Sequence, residues 1–153
     1  MDIDIEIANA TRKTVNSNLI KKIAKKVVEG EMSRVGGTDI EVSFAFVAPH
    51  KIKELNAKWR KMDNVTDVLS FGQDDFLQRL TKKSLQPNEF LGEIVVCLAQ
   101  VAKDAKELKK TFNQELSWVV VHGVLHLFGY DHEAKESEAV LMRQKEEEYL
   151  GKK

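Results

Sequence analysis

His122-Gly-Val-Leu-His126-Leu-Phe-Gly129-Tyr-Asp-His132 holds three of the four histidines of this 153-residue chain. His122 and His126 stand at i and i+4, so a helix projects both imidazoles from one face. Gly129 lies where that helix should end, because glycine enters the left-handed conformation of a C-terminal cap without steric cost. The chain can then reverse and return His132 toward the other two. Three neutral imidazoles converging on one point suit a divalent transition metal, zinc first. Three protein ligands leave a fourth position open, the pattern of a catalytic site. From Trp118 to Phe128 only the histidines are polar. A helix apolar nearly all round is buried, so the ligands are expected on the rigid core helix of the fold.

The spacing H-x-x-x-H-x-x-G-x-x-H is also the frame of the metzincin proteases, in which a glutamate follows the first histidine and acts as general base. Gly123 occupies that position here. The metal frame is kept and the base is missing, which argues against peptide chemistry. The competing view is a set of satisfied core histidines. One pair on an apolar helix would fit it, but three histidines with a glycine at the required turn match ligand geometry instead.

Outward from this stretch, the length suits one domain, residues 1–153, with its own core. Lys+Arg and Asp+Glu are equal at 24 each, so the chain is no generic polyanion binder and any nucleic-acid contact must come from a local patch. Cys97 is the single cysteine, which rules out an intrachain disulfide and suits a reducing compartment. The Met-Asp-Ile-Asp start lacks the basic and apolar regions of a signal peptide. No apolar run reaches the ~20 residues of a membrane span. The expectation is a cytoplasmic protein with no membrane partner.

Residues 2–8 alternate Ile3, Ile5 and Ile7 with acids, a half-buried strand. Thr14 to Met32 carries a helical apolar stripe, with Lys21, Lys22, Lys25 and Lys26 as a solvated face in the favoured reading and a nucleic-acid footprint in the minority one. Gly36-Gly37 makes a turn. Ile40, Val42, Phe44 and Phe46 alternate as a second strand. Pro49 opens a helix ending near Arg60-Lys61, with His50 at its surface start. Val68 to Phe71 is a short strand ending at Gly72. Residues 73–89 lack periodicity and form either a functional loop or a hidden short helix around Phe76–Leu80. Phe90 to Leu98 is β-rich, with Cys97 as core. Val101 to Leu108, Thr111 to Phe128 and Glu133 to Leu150 are helical, the last packing through Leu141, Met142, Tyr149 and Leu150. These patterns describe an α+β fold: a small mixed sheet of about four strands, about five helices and a buried central metal-binding helix.

Three segments together resemble a known family: Leu55-Asn56 through Trp59-Arg60, Thr66-Asp67-Val68-Leu69-Ser70-Phe71, and His122 to His132. They are similar, in kind and order, to the YbeY family of metal-dependent endoribonucleases that mature ribosomal RNA. The resemblance implies zinc held by His122, His126 and His132, one ion per chain. It implies a cleft arginine, Arg60, that contacts RNA. It also implies cleavage of single-stranded RNA, processing of the 3′ end of small-subunit rRNA on the small ribosomal subunit, and ribosome quality control. The family usually reads Leu-Gly-Asp-Ile where this chain has Leu91-Gly92-Glu93-Ile94, so no role is carried over to Glu93.

A zinc with an open position binds water and lowers its pKa to about 7, or acts as a Lewis acid on a phosphoryl oxygen. Nickel or copper can occupy the same ligands in a preparation. Arg60 is the candidate catalytic and substrate-binding residue, because guanidinium offers paired planar donors and stays charged. Its alternative is a charge serving the helix C-terminus. Lys58 and Lys61 flank it and widen a positive patch, with Lys61 a candidate substrate contact. Thr66 reads as a turn or cap, and Ser70 lacks the surroundings of a nucleophile. Asp131 either orients a ligand imidazole or caps the next helix. No residue is identified as general base, and attack by metal-bound hydroxide or by the 2′-hydroxyl of RNA stays open. Two other classes also remain: a ribosomal assembly factor using the metal for structure, and a zinc hydrolase of peptides or small esters.

Overall fold

The alternating isoleucines form strand β1 (Ile3–Asn9) in the computed structural model, which describes every residue except Arg34, Gly36, Asp74, Ala134, Lys152 and Lys153. Helix α1 (Ser17–Met32) begins later than the apolar stripe suggests, because the Asn16 side chain caps it by accepting the Leu19 N–H at 3.1 Å. Its four lysines are exposed, and Lys26 Nζ also donates to the Tyr149 carbonyl at 2.9 Å. Of the expected glycine turn, Gly36 lies outside the described residues, and Gly37 has φ +78°. Strand β2 (Asp39–Phe46) buries Ile40, Val42, Phe44 and Phe46. Helix α2 (Pro49–Arg60) starts on Pro49, with His50 exposed, and ends at Lys61 in the left-handed conformation.

Strand β3 (Val68–Gly72) is followed by helix α3 (Phe76–Thr81), the short helix the polar stretch had concealed. That helix is held by an Arg79–Glu89 pair at 2.6 Å, with Glu89 only 2% exposed. Arg79 holds the Glu89 carboxyl below its ordinary range. Strand β4 spans Asn88–Val96 rather than 90–98, so Cys97 and Leu98 leave the sheet. Cys97 is fully buried as the N-cap of helix α4 (Leu98–Glu107). Helix α5 (Phe112–Leu127) is entered through a Thr111–Gln114 capping box. Helix α6 spans Glu136–Leu150, which leaves Glu133 in the connector. It buries Met142 and Tyr149 and leaves Leu141 and Leu150 exposed. No helix among the described residues is long and apolar enough to cross a membrane.

The described residues thus form an α+β fold with six helices and a four-stranded sheet of order β1-β2-β4-β3. β1, β2 and β4 run parallel, and β3 runs antiparallel to β4. α5 packs on β3, β4, α1, α4 and α6, so the histidine helix is the centre of the main core. A second, smaller cluster of Ile52, Leu69, Val95 and Cys97 lies under α2. Alternation along β3 turns Leu69 toward α2 and Ser70 toward α5. There Ser70 Oγ–H donates to the Gly123 carbonyl at 3.0 Å.

Gly123 faces the sheet. A Cβ at this position would lie 2.8 Å from Ile94 Cγ2, so glycine lets α5 approach β4 closely. A glutamate here would be driven into the core and would not reach the metal side. Overpacking by a few atoms costs about 1–3 kcal/mol, and burying an unpaired carboxylate costs several kcal/mol more. Gly123→Glu is expected to lose its cooperative fold rather than gain protease activity. A circular-dichroism melt at the wild-type temperature would contradict this.

Candidate metal centre

α5 brings His122 and His126 onto one face, with their Nε2 atoms 3.1 Å apart. The helix stops as expected. Gly129 has φ +93°, its N–H bonds the His126 carbonyl at 3.0 Å, and the Tyr130 N–H bonds the Leu125 carbonyl at 3.2 Å. This pair of bonds is a Schellman cap. The reversal carries His132 back, so that its ring centroid lies 4.9 Å from His122 and 5.2 Å from His126. One ring nitrogen from each histidine falls within 4.8 Å of the other two.

The donor set fits a metal ion. Three nitrogen ligands at this separation match a zinc-type site. Burial, and then the neighbouring His122 and His132, lower the His126 pKa from 6.5 to about 4, so this imidazole is neutral at pH 7 without having to lose a proton to a metal. Behind the triad, His122 Nδ1 faces Glu146 Oε2 at 3.5 Å. Both atoms are buried and have no hydrogen-bond partner at normal distance. A small approach makes this contact the carboxylate–imidazole bond that turns the opposite ring nitrogen toward a metal. Trp118 stacks on the His122 ring at 4.5 Å and 26° and limits its rotation.

Glu146→Ala is therefore expected to weaken metal binding about 10- to 100-fold, with Glu146→Gln intermediate because its amide oxygen can still accept from Nδ1–H. Competition against a chromogenic chelator measures this directly. Equal affinity in wild type and Glu146→Ala would show that the carboxylate does not orient the ring.

A second support lies further out. Glu31, near the end of α1, accepts the Tyr130 O–H at 2.6 Å and also the Tyr149 O–H, and Lys145 Nζ lies 3.5 Å away. Burial and the adjoining Glu31 carboxylate both push the two phenols above their ordinary pKa.

The triad opens on a cleft of about 940 Å³ that is also lined by Trp59, Arg60, Asp67 and Phe71. Arg60, the last residue of α2, reaches Glu133 with one guanidinium nitrogen 2.8 and 2.9 Å from the two carboxylate oxygens. Asp131 Oδ1 accepts the Glu133 N–H at 2.9 Å and so shapes the connector between the last ligand and α6. Asp67 accepts from Thr66 Oγ–H at 3.4 Å, and its carboxyl is raised first by burial and then by Asp104. The fold therefore unites His122, His126, His132 and Arg60. Lys61 is exposed beside the rim and does not line the cleft. Glu93 is exposed on β4 and is likewise not part of the lining. Glu133, Glu146 and Asp67 are the cleft carboxylates for which sequence spacing assigned no role. Asp67 alone carried a signal, as an acid inside a distinctive segment.

The sequence model of the family described as "Endoribonuclease YbeY" matches residues 6–153. A protein of Thermodesulfovibrio yellowstonii described as "Endoribonuclease YbeY" is 37% identical, over 98% of this chain and 97% of its own length. One of Thermotoga petrophila with the same description is 37% identical over 88% of this chain and 80% of its own. A solution structure of a Thermotoga maritima protein superimposes with a TM-score of 0.58 at 33% identity, covering 97% of this chain and 86% of that one.

Proposed function

Because this chain belongs to the YbeY endoribonuclease family, and is thus a hydrolytic RNA nuclease, we propose that it cleaves single-stranded RNA using one zinc ion held by His122, His126 and His132. Its substrate in this reading is small-subunit rRNA, whose 3′ end it matures in the cytoplasm in contact with the small ribosomal subunit, with a further part in ribosome quality control. The whole chain acts as one hydrolase domain. The observation that carries the proposal is that one cleft is lined by both the histidine triad and Arg60.

When bound, the metal supplies Lewis acidity beside the phosphodiester. The side chains do the rest. Arg60 grips phosphate oxygens through its paired donors. The Glu133 carboxylate holds one of the Arg60 guanidinium nitrogens and so competes with phosphate for that donor. Lys61 extends the positive rim along the RNA backbone. Asp67, whose carboxyl pKa is raised first by burial and then by Asp104, is the cleft carboxyl suited to hold or pass a proton at Oδ. Peptide hydrolysis gains no support, since position 123 faces Ile94.

Purified protein incubated with single-stranded and duplex RNA, with and without chelator, tests the proposal. Cleavage of the single strand that is lost on chelation and restored by zinc is expected. Chelator-indifferent cleavage, or equal cutting of duplex, would refute it. Depletion in cells should leave small-subunit rRNA with extended 3′ ends.

A further inference from the structure

Trp59 is 61% exposed, more than any other large apolar side chain among the described residues. It stands in the last turn of α2, next to Arg60, and lines the same cleft as the triad. Phe71 of β3 meets it edge-on, with centroids 6.2 Å apart and planes at 71°. This contact sets the tilt of the indole without covering it. Lys58 Nζ lies 5.1 Å from the ring centroid, and Arg60 and Lys61 follow directly in sequence. Lys58 thus lies over one face of an indole that is otherwise largely exposed, and an aromatic surface beside cations at the mouth of a cleft is the chemistry that binds an unpaired base and its phosphates together.

We propose that Trp59, backed by Phe71, is a stacking platform for one unpaired nucleobase of single-stranded RNA, flanking the phosphate held by Arg60. The proposal rests on the RNA-cleaving reading above and adds to it the origin of strand selectivity. A base inside a duplex is already stacked on both faces and cannot offer one to Trp59, whereas a base in a single strand can. Every base has a π-face, so the platform selects for unpaired strand with little preference for sequence. It also fixes the RNA on one side of the scissile phosphate, which positions the backbone against the triad.

The test is a cleavage assay on short single-stranded oligoribonucleotides with the zinc-loaded protein, combined with abasic substitution at each nucleotide in turn. Trp59→Ala should lower kcat/KM about ten- to a hundredfold, mainly through KM. Trp59→Phe should restore most of it, because a phenyl ring still stacks. In the wild type, one abasic position near the cut should produce a loss of similar size. In Trp59→Ala the same abasic position should cost little more, since both changes remove one contact. Trp59→Ala at wild-type kcat/KM, or losses from the variant and the abasic site that multiply, would overturn the platform. If Trp59→Ala proves unstable, the abasic scan of the wild type decides alone: no sensitive position overturns the proposal. Wild-type protein that cleaves no single-stranded RNA refutes the underlying reading, and is told apart from these outcomes because it needs no variant.

Discussion

His126→Ala is expected to lose its metal and at least about a thousandfold of its cleavage rate, given that removing a mere supporting residue of a metal ligand already costs 10- to 100-fold. His126 is one corner of a near-equilateral triangle of rings, with centroids 4.6 Å from His122 and 5.2 Å from His132. Two imidazoles remain after its removal. One of them, His132, hangs on an exposed connector whose side chain is 43% accessible. A bidentate site of that kind binds weakly and without fixed geometry. The helix itself should survive, because Val119, Val120, Val121, Val124 and Leu125 are buried and unchanged. Elemental analysis together with a thermal melt separates these effects. A folded protein with full metal content and full activity would remove the triad from the mechanism.

Arg60→Ala should lower kcat/KM by about a hundred- to a thousandfold, the usual loss when one donor to a developing oxyanion is removed. Magnitudes distinguish this from a role at the helix end. The Arg60 and Glu133 side chains are 38% and 57% exposed, and exposed pairs contribute about 0–1 kcal/mol to stability. The same substitution should therefore hardly change the melting temperature or the metal content. Glu133→Ala supplies the opposite sign: with its carboxylate gone, Arg60 is available to phosphate, and RNA should bind more tightly. Parallel loss of stability and activity in Arg60→Ala would mean that the guanidinium serves α2 rather than the substrate.

The triad could be read from the sequence because its information is local. The i,i+4 spacing, the apolar run and Gly129 all lie within one helix and its cap, and a cap obeys backbone sterics that do not depend on the rest of the fold. β1 and β2 could be read for the same reason, since alternation is a property of a single segment, whereas β3 and β4 showed only as short β-rich runs and the bounds of β4 shifted. Glu146 could not. It lies on another helix, and its neighbour His122 is reached only after α6 folds back across α5. Composition starts a helix at Glu133, whereas its carboxylate meets Arg60, 73 residues earlier. α3 is one of the two readings the sequence leaves open for residues 73–89, and a six-residue helix shows too little periodicity to choose it over a loop. The sequence pattern carries the strand through Cys97 because an apolar strand end and a buried helix cap look alike in composition. The order of strands, with β4 between β2 and β3, is a property of pairing that no single segment carries.

Glu31 links two parts of the centre that are remote in sequence. Tyr130 lies on the reversal between His126 and His132, and Tyr149 lies on α6 one turn beyond Glu146. Both phenols end on this one carboxylate. The approach of the third ligand and the seating of the supporting helix are thus thermodynamically linked to the end of α1. A ligand that binds only the assembled form stabilises it by mass action, so metal and α1 act on the same equilibrium. A lesion in α1 would show itself as a shortage of bound metal, and raising the metal concentration would mask it, although no residue of that helix belongs to the histidine triad.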